Sequence, residues 1–171
     1  MTSPPVTYLL TFSCYGTRLH GDARGSVHRD QDLPNSRFVE PSPAWESFER
    51  HLMTESAYEL DVPLRDIASR TIQEVCAHRK WTLFALHIRN THVHVVADID
   101  REPERAVNDF KAYITRRIRE NGLDAGRKHF WSLYGSNVRL GNSEAVKNGV
   151  VYVIDKQGAP MTTFLHENWL R

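Results

Sequence analysis

The pattern of apolar and polar positions near the N-terminus predicts a strand followed by a long loop. Tyr8 to Cys14 is a run of β-forming residues, and Gly16 interrupts it. From Gly21 to Pro43 the chain is rich in Gly, Asp, Asn, Ser and Pro, which are typical of turns. We expect an ordered excursion or binding loop at about 16–43 rather than a linker between domains, and a short helix within 44–60.

Three later segments have apolar residues every three or four positions, the spacing of an amphipathic helix. Each begins at a capping residue or a proline, as helices commonly do. The predicted helices run from Asp61 to Arg79, from Pro103 to Asn121-Gly122, and from Asn142 or Ser143 to near Gly158.

Between the helices, two short runs have the spacing of a β-hairpin. Trp81 to Ile88 and Thr91 to Ile99 are strand-like and are separated by only two residues. Phe130 to Leu140 predicts a fourth strand, interrupted at Gly135. The order β-α-β-β-α-β is the ferredoxin-like plan. We therefore expect one α+β domain over residues 1–171, with an antiparallel sheet, helices on one face, and an additional C-terminal helix.

Composition excludes several classes of protein. Apolar residues make up 40 % and charged residues 25 % of the chain, as in ordinary globular proteins. The net charge of +1 excludes a histone-like basic coat, and no apolar run reaches the roughly 18 residues of a membrane span. With only Cys14 and Cys76, and no leader-like segment at the start, we expect a cytoplasmic protein without disulfides or membrane contact.

Positive charge is concentrated late in the chain. Residues 1–60 hold 5 basic and 8 acidic side chains, whereas residues 101–140 hold 9 and 5. This asymmetry permits an anionic partner at one surface, although a solvated helix face has the same pattern. The candidate phosphate-binding residues are Lys111, Arg116, Arg117, Arg119, Arg127, Lys128 and Arg139.

The candidate chemistry centres on His92-Val93-His94. Side chains alternate along a strand, so both imidazoles face one side of the sheet while Val93 and Val95 face the other. Two neutral histidines two residues apart are close enough to share one metal ion. Two partly exposed, hydrogen-bonded histidines fit the pattern equally well.

The order of motifs resembles the HUH single-tyrosine transposases, the family that includes the REP-associated tyrosine transposases. The likeness covers most of the chain. It rests on the segments YLLTFSCYGTRLHGD, RNTHVHVV, FKAYITRRIRE, FWSLYGSN and VVYVIDKQG. The resemblance implies that His92 and His94 bind Mg²⁺ or Mn²⁺ and that Tyr152, on the C-terminal helix, is the nucleophile that attacks a DNA phosphate.

The third metal ligand departs from the family pattern. The family often places a glutamine or asparagine four residues after the tyrosine, where this chain has Lys156. Gln157 comes one residue later, about 140° around an ideal helix from Tyr152, and reaches the metal only if the last helical turn is distorted. We take Gln157 as the third ligand. The alternatives are Lys156, Asp98 and His87.

A second tyrosine competes for the role of nucleophile. Tyr113 precedes Arg116, Arg117 and Arg119 in the basic helix, but it adjoins that helix's apolar stripe. Tyr152 occupies the position where the family keeps its tyrosine, and we rank it first.

The function implied by the resemblance is a metal-dependent transposase. It would cleave and rejoin single-stranded DNA through a 5′-phosphotyrosine intermediate, with a DNA hairpin as the recognised feature and a homodimer as the assembly. One alternative is a domesticated, inactive hairpin-binding protein, in which the altered spacing of Tyr152 and Gln157 has ended catalysis. A metal-dependent hydrolase of small substrates is disfavoured, because no His-x-His-x-Asp-His run is present.

Overall fold

The computed structural model describes residues 4–23, 26–27 and 38–169. The strands are β1 Val6–Cys14, β2 Ser26–Val27, β3 Phe38–Val39, β4 Leu83–Ile88, β5 His92–Ile99, β6 Trp131–Arg139 and β7 Thr162–Leu165. The helices are α1 Pro43–Leu52, α2 Val62–Arg79, α3 Pro103–Glu120 and α4 Ser143–Asp155, followed by a short 3₁₀ helix, Glu167–Trp169. None of the described helices is long and apolar enough to cross a membrane.

The main sheet has five antiparallel strands in the order β6-β1-β5-β4-β7. Its first four strands follow the ferredoxin-like order, which confirms the predicted fold class. The fifth strand, β7, was not predicted, because a four-residue run is too short to show clear alternation. The loop expected at 16–43 contains the small β2-β3 ladder, and its residues 24–25 and 28–37 lie outside the described ranges.

Local signals place the starts of α2 and α4 where the sequence predicted them, whereas α4 ends at Asp155, before the predicted end near Gly158. The Asp61 side chain accepts a hydrogen bond from the backbone N–H of Leu64 and caps α2. Asn142, rather than Ser143, caps α4 by accepting from the N–H of Ala145 at 2.8 Å.

The two faces of the sheet are covered differently. Val93 and Val95 lie in the larger core with residues of α2 and α3, such as Ile72 and Phe110. On the other face, α4 packs on β4 and β5 in a smaller core. The sheet therefore separates α3 from the face that carries the histidines.

β6 runs from Trp131 to Arg139 without a break, but its pairing with β1 shifts register between Gly135 and Trp131, so the irregularity predicted at Gly135 lies in the strand pairing. Gly135 pairs with Phe12 inside the β1-β6 ladder. A Cβ at this position would overlap the carbonyl oxygen of Thr11. The glycine therefore permits a close approach between strands and does not break β6.

Candidate active site

The paired histidines lie side by side on β5. Their ring centroids are 4.8 Å apart, with the ring planes at 80°. His94 is only 5 % exposed, whereas His92 is partly exposed. Both line a cleft of about 260 Å³, so one buried and one accessible imidazole form part of its wall.

α4 brings Tyr152 to these histidines. Val150 and Val153 of α4 pack with Val96 on the histidine face of the sheet. The Tyr152 ring centroid lies 5.6 Å from that of His94, with the planes at 77°. Tyr152 is 44 % exposed and lines the same cleft, so its ring is accessible to a ligand.

Gln157 connects the tyrosine helix to the histidine strand. Its Nε2 donates to the carbonyl of Tyr152 at 3.1 Å, and its Oε1 lies 3.0 Å from Nε2 of His94. Because a carbonyl can only accept, the first bond fixes the amide orientation and turns the oxygen towards His94. α4 ends at Asp155, so Gln157 lies outside the helix and its direction is not set by the rotation of about 100° per residue of a helix. The five-residue spacing from Tyr152 is therefore compatible with a contact to His94.

Thr11 contacts the other nitrogen of His94. In the β1-β5 register Thr11 lies opposite His94, and its Oγ1 is 2.7 Å from Nδ1. The amide oxygen of Gln157 can only accept, so His94 Nε2 donates to it and Nδ1 accepts from the threonine hydroxyl. Burial, with a smaller contribution from His92, lowers the pKa of His94 to about 3. His94 is therefore neutral at physiological pH.

The donor set fits a divalent metal. Neutral imidazole nitrogen and amide oxygen are both ligands for divalent first-row ions. The 3.0 Å between His94 Nε2 and Gln157 Oε1 is about the separation of two adjacent ligands in an octahedron with bonds of roughly 2.1 Å. The described residues contain no cluster of three or more His, Cys, Asp or Glu side chains suited to a metal, so this site depends on the glutamine.

The other candidates for third ligand are placed differently. Asp98 accepts from the Thr7 hydroxyl and lies four residues along β5 from His94, about 13 Å away. His87 is fully buried, and both of its ring nitrogens bond to backbone groups. Lys156 is exposed at the end of α4. Of the four candidates, Gln157 is the one bonded to His94.

Tyr113 lies on the far side of the sheet from the histidines. It is 41 % exposed on α3, and neighbouring residues such as Phe110 and Ile114 pack in the core with Val93. The structure therefore brings Tyr152, and not Tyr113, together with His94.

Most of the predicted phosphate-binding residues are on the surface. The exposed ones are Arg116, Arg117, Arg119, Lys128 and Arg139. Arg116 bonds to Glu120 at 2.8 Å, and Arg117 bonds to Glu74 at 2.9 Å. A phosphate at this surface would compete with these carboxylates.

Lys111 and Arg127 donate hydrogen bonds to backbone carbonyl groups of the protein itself. Lys111 is 8 % exposed, and its Nζ donates to the carbonyl of Ser132 at 2.8 Å. Burial lowers its pKa to about 8. Arg127 donates to carbonyl oxygens of Ser56 and His129. These two side chains join α3 and the loop before β6 to neighbouring elements, and they are not part of the exposed basic face.

The cleft also contains residues that the sequence analysis missed. Ser13, Thr17, Arg18 and Thr91 line it together with the site residues. Arg18 is exposed, and among the described residues no carboxylate forms an ion pair with it. Thr11 and Ser13 alternate with the core residues of β1, and this alternation indicates in the sequence that both face away from the larger core. Only the strand register shows that they face the histidines.

Comparison with known proteins supports the class that the sequence suggested, the single-tyrosine HUH transposases. The family model described as "Transposase IS200 like" matches residues 47–147. The chain belongs to this family. The matched region includes both histidines and ends before Tyr152 and Gln157. The resemblance inferred from the sequence is confirmed.

The fold is also found among solved structures, of which five chains match. One is described as the REP-associated tyrosine transposase bound to a REP hairpin. It aligns with a TM-score of 0.51 at 12 % identity, over 91 % of this chain and 68 % of that one. None of the curated protein sequences matches this chain.

Proposed function

We propose that this transposase cleaves and rejoins single-stranded DNA through a covalent phosphotyrosine at Tyr152. The observation that carries the proposal is the bonding of Gln157 to both the Tyr152 carbonyl and His94, which joins the tyrosine helix to the histidine strand in one cleft. The family supplies the reaction class, because transposases recombine DNA. The site residues supply the reacting groups.

His92, His94 and Gln157 are the proposed ligands of a divalent metal ion. A bound Mg²⁺ or Mn²⁺ would offset the charge on the phosphate oxygens as the reaction proceeds. A nitrogen-containing site favours Mn²⁺ over Mg²⁺ in affinity, whereas Mg²⁺ is more abundant in cells. His94 is neutral and held from both sides by Thr11 and Gln157; as a ligand it would carry its ring proton on Nδ1 instead of Nε2, with the Thr11 hydroxyl as acceptor.

In the proposed reaction Tyr152 releases its phenolic proton to solvent and its oxygen attacks the phosphorus. The new bond joins Tyr152 Oη to phosphorus as the bond to the 3′ oxygen breaks, and that oxygen takes up a proton to leave a free 3′ hydroxyl. Attack by another 3′ hydroxyl on the phosphotyrosine reverses the step, so neither direction needs ATP. Arg18, at the edge of the cleft, is suited to contact a neighbouring phosphate.

The proposed substrate is single-stranded DNA that carries a hairpin. Tyr152 lines the cleft and must approach one exposed phosphate, which favours an unpaired strand. The aligned transposase is described as bound to a REP hairpin, which supports a hairpin as the recognised feature. The arginines on the outer face of α3 would contact its backbone without reading its sequence.

A homodimer is the proposed assembly, on the family resemblance. A single chain supplies the whole proposed site, which consists of His92, His94, Tyr152 and Gln157. A dimer with a shared site would therefore require α4 to exchange between protomers. Mixing an H94A chain with a Y152F chain tests this. Activity of the mixture, when each variant alone is inactive, would indicate exchange, and an inactive mixture would indicate that each chain uses its own tyrosine.

The proposed function is tested by covalent capture. The protein is incubated with Mn²⁺ and single-stranded oligonucleotides that contain hairpins, and the products are separated on denaturing gels. We expect a protein-DNA adduct that disappears with EDTA and maps by mass spectrometry to Tyr152. Binding of the hairpins without any adduct, across a library of flanking sequences, would instead identify an inactive binding protein.

A further inference from the structure

His87 is a buried histidine with two backbone partners that belong to the segment around Gln157. It is 0 % exposed on β4, directly opposite His94 in the β4-β5 register. Its Nδ1 lies 2.9 Å from the carbonyl of Val153, and its Nε2 accepts from the backbone N–H of Met161 at 3.1 Å. Since Nε2 accepts, the ring proton is on Nδ1 and is donated to Val153.

The first of these bonds replaces a bond of the helix. In a continuing α-helix the carbonyl of Val153 would accept from the N–H of Gln157, four residues later. Here α4 ends at Asp155, and the imidazole of His87 satisfies that carbonyl. The chain is thereby free to leave the helical path before Gln157, which is what a ligand at the fifth position requires.

The second bond fixes the chain on the other side of Gln157. Met161 is held to His87 just before β7 begins, and Arg89 donates from Nη1 to the carbonyl of Ala159 at 3.0 Å. Arg89 directly follows β4, two residues after His87, and both side chains bond to the same segment. Three side-chain bonds from His87 and Arg89 therefore hold residues 153–161, with Gln157 between them.

We propose that His87, supported by Arg89, is a positioning residue for the metal ligand Gln157. This pair ends α4 early and anchors the chain beyond it, so that the amide of Gln157, the fifth residue after Tyr152, faces His94. In a regular helix the fourth residue, Lys156, would lie on that face. The inference rests on the proposed metal site, and it accounts for the altered spacing as a compensated change rather than a loss of the site.

The test combines metal binding with a metal-free measurement. Mn²⁺ affinity is measured by calorimetry for the wild type, His87→Leu, Gln157→Ala and the double variant. We expect each single variant to bind Mn²⁺ about 10-fold more weakly, and the double variant to be no weaker than Gln157→Ala. Hydrogen exchange of the metal-free protein should show faster exchange at residues 156–161 in His87→Leu, and His87→Gln, which retains a donor and an acceptor, should restore part of the affinity.

Trp81→Phe is the matched control. It removes a partly buried side-chain hydrogen bond, to Asp100 at 2.7 Å, and Trp81 packs in the opposite core. It should lower stability without changing Mn²⁺ affinity. If His87→Leu does not fold, Arg89→Met, which removes a bond on an exposed part of the chain, carries the same expectation for exchange and a smaller loss of affinity.

The outcomes distinguish a failure of the positioning role of His87 from a failure of the proposed metal site. A His87→Leu protein that binds Mn²⁺ as tightly as the wild type, while Gln157→Ala does not, overturns the positioning role and leaves the metal site intact. Additive losses in the double variant overturn it too, because His87 would then act independently of Gln157. A wild type that binds no Mn²⁺ refutes the metal site and the inference with it, and hydrogen exchange would then show whether His87 has only a structural role.

Discussion

The hydroxyl of Thr11 lies 2.7 Å from Nδ1 of His94, across the β1-β5 pair. A hydroxyl can donate and accept. It therefore suits the tautomer of His94 in this structure, in which Nδ1 accepts, and would equally suit the proposed metal-bound tautomer, in which Nε2 would be a ligand and Nδ1 would donate.

Thr11→Val should weaken Mn²⁺ binding about 10-fold, because it removes this partner while keeping the side-chain shape. Thr11→Ser keeps the hydroxyl and should bind within a factor of about three of the wild type. Calorimetric titration with Mn²⁺ measures both. Equal affinities for the valine and serine variants would show that the hydroxyl does not orient the ligand.

His92→Ala and His94→Ala should each abolish metal-dependent cleavage. His92 is partly exposed, so its loss should change stability little. His94 is buried and bonded to Thr11 and Gln157, and its removal should cost about 1–3 kcal/mol of unfolding free energy. Urea denaturation and the cleavage assay separate the two effects. Full cleavage by either variant would contradict the proposed metal site.

Tyr152→Phe should fold and bind DNA but form no covalent adduct. The ring that contacts His94 is kept, and only the oxygen proposed to attack the phosphate is removed. Tyr113→Phe is the matched control, since Tyr113 has a similar exposure on the other side of the sheet. The assignment fails if the adduct persists in Tyr152→Phe and disappears in Tyr113→Phe.

The double replacement of Arg116 and Arg117 by glutamine should flatten the salt dependence of DNA binding. Each single-strand phosphate contact that is lost reduces the log-log slope by about 0.7. We expect the slope to fall by the equivalent of one or two phosphate contacts. Both arginines form exposed ion pairs with glutamates, and such pairs contribute little to stability, so we expect little loss of unfolding free energy. Arg50→Gln, which removes an exposed arginine paired with Glu46 on α1, is the control. The same slope in all three proteins would leave these arginines as ordinary surface charges.

Lys111 should make stability rise with pH in the alkaline range. Burial lowers its folded pKa to about 8 from 10.5, so between these values the unfolded chain binds a proton that the folded protein does not. The unfolding free energy of the wild type relative to Lys111→Met should therefore increase from pH 8 to 10.5, by on the order of 1 kcal/mol per pH unit at most. Urea denaturation across this range measures the difference. A constant difference would indicate that the folded protein titrates like the unfolded chain.

Local patterns in the sequence were sufficient for the main helices, for the first four strands of the main sheet and for the pairing of the two histidines. Alternation in β5 depends only on neighbouring residues, so it predicted that His92 and His94 share the face opposite Val93. Capping residues such as Asp61 and Asn142 act within three positions, and they predicted where α2 and α4 begin.

The remaining features depend on contacts between distant parts of the chain, which no local pattern records. His94 meets Gln157 across 63 residues, and His87 bonds to Val153 across 66. The choice of Gln157 over Lys156 depends on where α4 ends, and that end is stabilised by a side chain from another strand. The burial of Lys111 likewise depends on the packing of α3 against β6. Periodicity in the sequence thus determined which faces the side chains occupy, whereas tertiary hydrogen bonds decided which of those side chains meet.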